Sequence, residues 1–385
     1  MSDYKDPLTL ARDLIKCQSV TPNDGGALDT LVTALDLLGF ECWRLPFSEE
    51  GTEDVDNLFA RLGTESPHFC FAGHVDVVPE GEATRWSHPP FQADIYGQRL
   101  FGRGAVDMKG AIAAFVAAVA RYIEKRANES RNGSISLLIT GDEEGPSING
   151  TRKVLKWMEK NSQRPDACLV GEPTNPLKLG DMIKIGRRGS LNATLIVNGT
   201  QGHAAYPELA DNPIPYLVSM LDWLNASVLD SGTKFFQPSN IEITSIDVGN
   251  LATNVIPEKA IAKFNIRYND QHTSETLVDL LNKGFSKITN DFVLDTNSSG
   301  DAFLTEPGRL SSILTDSIKT ITGRTPKLST NGGTSDARFI KDICPVVEFG
   351  LSGKTMHKID ECVSLDDLEL LTQIYSKTLE SYFNE

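Results

Sequence analysis

Basic residues are in short supply in this sequence. Its 37 lysines and arginines are outnumbered by 52 aspartates and glutamates, which gives a formal net charge of −15 and a pI near 4.9. Proteins that bind duplex nucleic acid or an anionic membrane surface gather Lys and Arg against the phosphates. The composition therefore argues against both kinds of partner, and we expect neither nucleic acid nor membrane.

Long apolar runs and paired cysteines are also lacking. No stretch approaches the ~18 consecutive apolar residues that suggest a membrane span, and residues 1–6 contain no apolar run, so we expect no signal peptide. The six cysteines form no C-x-x-C pair, and a chain of 385 residues does not need disulfide bridges to complete its core. We therefore expect reduced, mostly buried thiols in a cytoplasmic protein.

Strand and helix patterns alternate in the first half of the chain. Apolar runs at 69–73, 134–140 and 167–170 suit buried strands, whereas the Ala-rich segment 109–125 and segment 151–160 suit helices. Strands that alternate with helices predict an α/β fold with a mixed, mostly parallel sheet flanked by helices.

The pattern changes near residue 181. Segments 191–197 and 260–267 alternate partly in polarity, as half-exposed strands do, and helical patterns lie at 213–226 and 274–285. Helix and buried-strand patterns return from about residue 302. We therefore predict a discontinuous first domain interrupted by a small α+β domain. The predicted bounds are 1–181 and 298–385 for the first domain and 182–297 for the insert.

A histidine and an aspartate mark the first candidate site residues. His74 lies just after the run 69–73, and Asp76, two residues on, shares its face of an extended chain. Asp76 could accept the second ring N–H of His74, as carboxylates do for metal-binding histidines. Asp107 follows a glycine-containing turn and precedes the helix 109–125. It either caps that helix or is held rigidly enough to bridge two metal ions.

More candidate ligands follow the later apolar runs. Glu143 and Glu144 come after 134–140, and adjacent residues of an extended segment point different ways, so one can bind metal while the other acts as a base. Glu172 follows 167–170, and His357 follows the last apolar strand. Taken singly, each of these residues also fits a solvated loop.

Taken together, these residues predict a metal site. In open α/β sheets, sites gather outside the carboxyl ends of the strands. Two histidines with several carboxylates and no cysteine suit zinc or cobalt ions bridged by a carboxylate and water. Two ions ~3.5–4 Å apart can share one hydroxide nucleophile and polarise a carbonyl group.

These motifs, in this order, resemble the dinuclear metallo-aminoacylase and carboxypeptidase family over nearly the whole chain. The further segments that carry the resemblance are 19–25, 86–91, 186–190, 202–207, 210–213 and 331–338. The resemblance implies an amidohydrolase with two Zn²⁺ or Co²⁺ ions. It also implies that the first domain is catalytic and that the insert serves as a lid and makes a homodimer. Segments 186–190 and 331–338 are the most specific, and they resemble members that act on N-succinyl amino acids.

The resemblance also implies a role for each position. The implied metal ligands are His74 and Glu172 on one ion, Glu144 and His357 on the other, and Asp107 bridging both. Glu143 would take a proton from the water that bridges the ions, leaving a metal-bridged hydroxide, and later deliver it to the leaving amine. Asp76 would orient His74. His203 would reach from the insert into the active site of the partner subunit and stabilise the oxyanion there.

An anionic N-succinyl amino acid substrate needs local positive charge in so acidic a protein, and arginine forks suit carboxylates. The implied substrate contacts are Arg187, Ser190, Tyr206, Asn254, Arg267, Gly333 and Thr334. Surface ion pairing is the alternative interpretation for Arg187 and Arg267. Many such family members have Asn four residues before the last histidine ligand. Gly353 stands there in this sequence, so that side-chain contact is missing.

Two other hypotheses remain open. An enzyme with the same ligands could act on another substrate, such as acetylornithine or a peptide. A metal-free binding protein on the same fold would be expected to have damaged ligand positions, whereas every ligand position and Glu143 are intact here.

Overall fold

The computed structural model describes residues 3–127 and 133–384. In these ranges the α-helices are α1 (Pro7–Lys16), α2 (Ala27–Leu37), α3 (Lys109–Lys125), α4 (Thr151–Lys160), α5 (Pro213–Ala226), α6 (Ser274–Phe285), α7 (Arg309–Thr322), α8 (Ala337–Ile340) and α9 (Leu365–Asn384). None of these helices combines the length and the apolar composition that crossing a membrane requires.

The strands are short in most of the chain and longest between residues 189 and 300. They are β1 (Glu41–Arg44), β2 (Leu58–Leu62), β3 (His68–His74), β4 (Ile95–Tyr96), β5 (Arg99–Phe101), β6 (Ser134–Thr140), β7 (Ala167–Val170), β8 (Met182–Lys184), β9 (Gly186–Arg187), β10 (Gly189–Asn198), β11 (Gly202–His203), β12 (Asn240–Asp247), β13 (Val255–Ile256), β14 (Lys259–Tyr268), β15 (Phe292–Gly300), β16 (Phe303–Leu304), β17 (Lys327–Ser329), β18 (Val346–Glu348) and β19 (Cys362–Ser364).

The chain divides into two compact units. Unit 1 comprises Met1–Ile185, Thr305–Ser329 and Ser335–Glu385, and unit 2 comprises Gly186–Leu304 and Thr330–Thr334. This division differs from the predicted bounds at both ends of the insert. Strand β8 pairs with β17 and β18 and therefore lies in unit 1, whereas β15 and β16 pair with strands of unit 2.

Unit 1 is built on an eight-stranded sheet of order β1-β2-β6-β3-β7-β18-β8-β17. Strand β3 is parallel to both β6 and β7, β7 is parallel to β18, and β8 is parallel to β17. The pairs β1–β2, β2–β6 and β8–β18 are antiparallel. The sheet is therefore mixed and mostly parallel, as predicted, and every residue of β3 and β6 is buried.

Helices cover both faces of this sheet. Phe59 is the register partner of Leu138, whereas Phe71 is the partner of the adjacent residue Leu137, so Phe59 and Phe71 point to opposite faces. The ring of Phe59 packs 5.5 Å from that of Trp157 on α4. On the other face, Phe71 stacks 4.3 Å from Phe115 of α3. The apolar strands thus place their C-terminal ends between two layers of helices.

Unit 2 has a four-stranded antiparallel sheet of order β12-β14-β10-β15. Strand β14 alternates between buried and more exposed residues, and its buried side chains, such as Phe264 and Ile266, form a core with α5 and α6. The cap of α5 is Asn212, whose side chain accepts the N–H of Ile214. The opposite face of the sheet is polar and includes Asn265, which bonds to Asn192.

Candidate active site

The predicted ligands meet at the C-terminal edge of the parallel strands in unit 1. His74 is the last residue of β3, Glu143 and Glu144 follow its neighbour β6, and Glu172 follows its other neighbour β7. The parallel pairing brings these three strand ends together. Asp107 joins them from the turn before α3.

Asp107 faces both histidines, one with each of its carboxylate oxygens. Its Oδ1 lies 3.1 Å from Nε2 of His74, and its Oδ2 lies 3.2 Å from Nε2 of His357. Helix α3 is capped by Met108 without a side-chain hydrogen bond, so Asp107 is not the helix cap. This geometry favours the bridging interpretation of Asp107 over the capping one.

Each histidine also approaches a glutamate. Nε2 of His74 lies 3.6 Å from Oε1 of Glu172, and Nε2 of His357 lies 2.9 Å from Oε1 of Glu144. His357 holds a φ of 61°, a left-handed conformation that is uncommon for a residue with a side chain and clusters at functional sites. Each histidine therefore has one glutamate within 3.6 Å in addition to Asp107.

Asp76 orders the site with both its main chain and its side chain. Nδ1 of His74 lies 2.8 Å from the main-chain carbonyl oxygen of Asp76 and 3.5 Å from carboxylate Oδ1 of the same residue. The carboxylate accepts the N–H groups of Glu143 and Glu144 and the hydroxyl of Thr21. Asp76 therefore fixes the acidic turn as well as the ring of His74. Thr21 was not singled out from the sequence.

The charges in the site perturb its titrating groups. Burial raises the pKa of Glu143, and the negative charge of Glu172 raises that pKa further. Burial alone would lower the pKa of His74, but hydrogen bonds to Asp107 and Asp76 raise it well above its usual value. Hydrogen bonds to Asp107 and Glu144 raise the pKa of His357 to about 10. The carboxylates therefore favour added positive charge at this point.

The donor set fits divalent cations. Ligand atoms of His74, Asp107 and Glu144 lie within 4.8 Å of one another, and so do those of His74, Glu143 and Glu172. Imidazole nitrogens with carboxylate oxygens and no thiolate are typical of zinc and cobalt sites in hydrolases. The second group also includes Glu143, so Glu143 is close enough to act as either a ligand or a base.

Several of the predicted substrate contacts lie in pairs within unit 2. Nη1 of Arg187 donates to the carbonyl oxygen of Gly333 at 3.0 Å, and Thr334 follows Gly333 in the chain. Ser190 and Arg267 are direct register partners on β10 and β14. Arg188, which was not predicted, lies near Arg267, and burial followed by that like charge lowers its pKa. Neighbouring guanidinium groups of this kind suit an anion.

The other predicted residues of the insert form a second, exposed group. His203 on β11 pairs with Val255 on β13, and the neighbouring Ala204 N–H donates to the carbonyl oxygen of Asn254. The rings of His203 and Tyr206 are 5.6 Å apart. The N–H of Ala205 donates to Nδ1 of His203 at 3.0 Å, so the neutral ring carries its proton on Nε2. His203 can therefore donate a hydrogen bond outward.

Comparisons with known proteins bear on both units. Residues 70–381 match the model of peptidase family M20/M25/M40. A protein of Rhodospirillum centenum named succinyl-diaminopimelate desuccinylase is 60% identical over 378 residues, which are 98% of this chain and 97% of the relative. A protein of the same name from Parvibaculum lavamentivorans is 56% identical over 98% of this chain and 96% of its own length.

A solved structure has the same fold. It is an M20 family metallo-carboxypeptidase from Sulfolobus solfataricus, with a TM-score of 0.77 over 99% of this chain and 100% of that one. The two sequences are 19% identical, and the likeness is one of architecture.

Proposed function

The chain belongs to peptidase family M20/M25/M40, and on this premise we propose that it hydrolyses N-succinyl-LL-2,6-diaminopimelate to succinate and LL-2,6-diaminopimelate. It is thus a metal-dependent hydrolase of linear amides, and the reaction serves the synthesis of lysine and meso-diaminopimelate. The observation that carries the proposal is the identity of 60% over nearly the full length of a relative named for this activity.

The arginines of unit 2 support an anionic substrate. Arg187 is buried against the Gly333 loop, and Arg188 and Arg267 oppose each other's charge. A substrate that carries several carboxylates would relieve this repulsion. Ser190, Tyr206, Asn254 and Thr334 complete the proposed contacts. An enzyme of the acetylornithine deacetylase or carboxypeptidase type is not favoured, because the relatives with high identity share the desuccinylase name.

Two divalent ions, Zn²⁺ or Co²⁺, are part of the proposal. The proposed ligands are His74 and Glu172 for one ion, Glu144 and His357 for the other, and Asp107 for both. Support comes from the two oxygens of Asp107, each of which faces a different histidine. When bound, the ions would polarise the scissile carbonyl and lower the pKa of a water molecule.

The protein's own groups then handle the proton and the developing charge. Glu143, whose pKa burial raises, takes a proton from water and returns it to the leaving nitrogen. The carboxylate of Asp76 holds Glu143 and Glu144 in position by accepting their main-chain N–H groups. His203 donates a hydrogen bond from its Nε2–H to the oxyanion, a contact whose removal typically costs ~2.7–4 kcal/mol in transition-state stabilisation.

A homodimer formed by unit 2, which would also act as the lid, completes the proposal. Among the described residues, unit 2 holds most of the large apolar side chains that are exposed, including Leu209 at 73% and Leu251 at 99%. Exposed apolar groups of this kind are typical of protein–protein interfaces. Because His203 is itself exposed in its own subunit, it can serve the active site of a partner subunit.

We also place the enzyme in the cytoplasm. All six cysteines are free, and Cys70, Cys168, Cys344 and Cys362 are buried. Free thiols without a single disulfide are the pattern of proteins in a reducing compartment.

Steady-state kinetics on three substrate types would test the proposal. N-succinyl-LL-2,6-diaminopimelate, N-acetylornithine and dipeptides are assayed side by side, each with and without chelator and with zinc or cobalt restored. We expect kcat/KM to be highest for the succinylated substrate and turnover to disappear with the metal. A preference for acetylornithine would reject the substrate, and turnover after complete demetallation would reject the metal mechanism.

A further inference from the structure

A buried ion pair lies next to the proposed metal ligands without being one of them. Nη1 of Arg103 and Oε2 of Glu361 are 2.7 Å apart, and both side chains are almost completely buried. Charged side chains are seldom buried to this extent unless they are paired, and replacing such a pair with apolar groups often costs no stability. The location of this pair therefore suggests a role beyond stability.

Glu361 holds the main chain at Asp107. Its second oxygen, Oε1, accepts the N–H of Val106 at 2.9 Å and the N–H of Asp107 at 3.2 Å. The main-chain carbonyl of Glu361 also accepts the N–H of Gly102. The carboxylate that pairs with Arg103 thus anchors the residue whose side chain faces both histidines.

Arg103 holds the main chain next to His357. Its Nη1 also donates to the carbonyl oxygen of Lys358 at 3.3 Å, and its Nη2 donates to the carbonyl oxygen of Pro79 at 3.4 Å. The guanidinium lies 5.2 Å over the ring of Trp86. The flat arginine fork therefore has several fixed contacts, which an ammonium group could not reproduce together.

We propose that Arg103 and Glu361 form a positioning pair that fixes Asp107 and His357 at the separation that two metal ions require. The inference rests on the metal centre proposed above. Asp107 and His357 belong to loops far apart in the sequence, and one ion pair holds the main chain of Asp107 and of Lys358, the residue after His357. Groups that orient metal ligands in this way typically contribute a factor of ~10–100 to metal affinity.

Metal titration of two conservative variants would test the pair. Glu361→Gln keeps an oxygen that can accept the N–H groups of Val106 and Asp107 but loses the charge, and Arg103→Lys keeps the charge but loses the fork. Metal-free protein is titrated with Zn²⁺ by calorimetry and with Co²⁺ by visible absorption. We expect at least ~10-fold weaker binding in both variants. The metal concentration for half-maximal activity should rise in parallel, and excess metal should restore turnover.

Glu369→Gln is the matched control. It removes the Arg121–Glu369 pair, whose two hydrogen bonds of 2.8 and 2.7 Å join α3 to α9 without touching either ligand loop. Metal affinity should change less than about twofold in this variant, because the two sites share no partners.

The possible failures are distinguishable. Circular dichroism and thermal unfolding of the metal-free proteins identify which variants are folded, and Arg103→Lys carries the test if Glu361→Gln does not fold. Wild-type metal affinity in a folded Arg103→Lys variant would overturn the positioning role and leave the metal centre standing. Wild-type protein that binds no divalent ion would overturn the proposed metal centre, and the inference with it.

Discussion

At the scale of single residues, the site depends on how two carboxylates are used. Asp107 turns one oxygen to each histidine, and Asp76 divides its carboxylate between two consecutive main-chain N–H groups. Because the Asp76 carboxylate holds the main chain of the turn, Glu143 and Glu144 keep fixed positions, and their side chains can serve different partners. One of them meets His357, and the other stays near His74 and Glu172.

Glu143→Gln should distinguish a general base from a metal ligand at this position. A positioned general base contributes ~10²–10⁴-fold, so we expect kcat to fall at least ~10²-fold while the metal content is unchanged. Kinetics and metal analysis by mass spectrometry on the same preparation measure the two effects. Glu172→Gln is the control, because it should reduce the metal content as well. A smaller fall in kcat, or loss of metal in Glu143→Gln, would contradict the role as base.

Metal binding should release protons. The pKa of His357 is raised to about 10 and that of His74 well above 6.5, so both rings hold an extra proton in the metal-free protein near neutral pH. A bound ion must displace those protons, so lower pH favours the protonated form and weakens binding. Calorimetry in buffers of different ionisation enthalpy should show net proton release, and affinity should fall from about pH 8 to about pH 6. A metal affinity that does not change with pH would contradict the displacement of protons from His74 and His357.

Residue types and their order indicated which side chains the structure brings together better than they indicated the contacts that support those side chains. His74, Asp107, Glu144, Glu172 and His357 each follow a strand or a turn that the sequence marks, and the structure brings them together. The carbonyl oxygen of Asp76, which lies closer to His74 than its carboxylate does, could not be predicted, since main-chain partners leave no trace in residue identity. The hydrogen bond from the Asp107 N–H to the carboxylate of Glu361 could not be predicted for the same reason.

At the scale of secondary structure elements, the side chain of Met108 packs the turn before α3 against the ends of strands β3 and β7. A Cβ added at Gly73 would lie 2.4 Å from Cε of Met108, and one added at Gly171 would lie 2.6 Å from the same atom. These glycines immediately precede His74 and Glu172. The side chain after Asp107 therefore packs against the strand ends that carry two other proposed ligands, and only glycine leaves room for it.

Gly73→Ala should destabilise the protein through this contact. Overpacking typically costs ~1–3 kcal/mol, and adding Met108→Ala should recover part of that loss, because the new methyl group enters the vacated space. Thermal unfolding in chelator, where bound metal adds no stability, measures the coupling. Gly353→Ala is the control, since its Cβ would meet its nearest atom only at 3.7 Å. Strictly additive effects of the two substitutions would show that Met108 is not the obstacle.

The interior strand β6 and the long helix α3 followed their sequence patterns, whereas the edge strands of the unit 2 sheet did not. The apolar run 134–140 is β6 and the Ala-rich segment 109–125 is α3, residue for residue. The edge strands β12 and β15 of the unit 2 sheet were not predicted. Their burial patterns are mostly exposed, so the apolar alternation that marks β14 is weak in them, and pairing with β14 and β10 determines their conformation.

At the scale of the whole molecule, the proposed function divides between the two units. The proposed metal ligands and Glu143 belong to unit 1, whereas the proposed substrate contacts and His203 belong to unit 2. The change from buried-strand patterns to half-exposed strand patterns near residue 181 predicted an inserted domain. The sequence could not predict that residues 330–334 join unit 2, because that association depends on contacts such as the one between Thr330 and Phe235.

Hybrid dimers should reveal whether His203 serves a partner subunit. His203→Ala and Glu143→Gln chains, each nearly inactive alone, are co-expressed with different tags, and dimers that contain one of each are purified. If His203 acts across the dimer, one of the two sites receives both Glu143 and His203, so the hybrid should have about half the wild-type activity. Hybrids of Glu143→Gln with Glu172→Gln are the control. Both substitutions damage the site of their own unit 1, so no site is intact. Activity of the first hybrid no higher than that of the control would place His203 in the site of its own subunit.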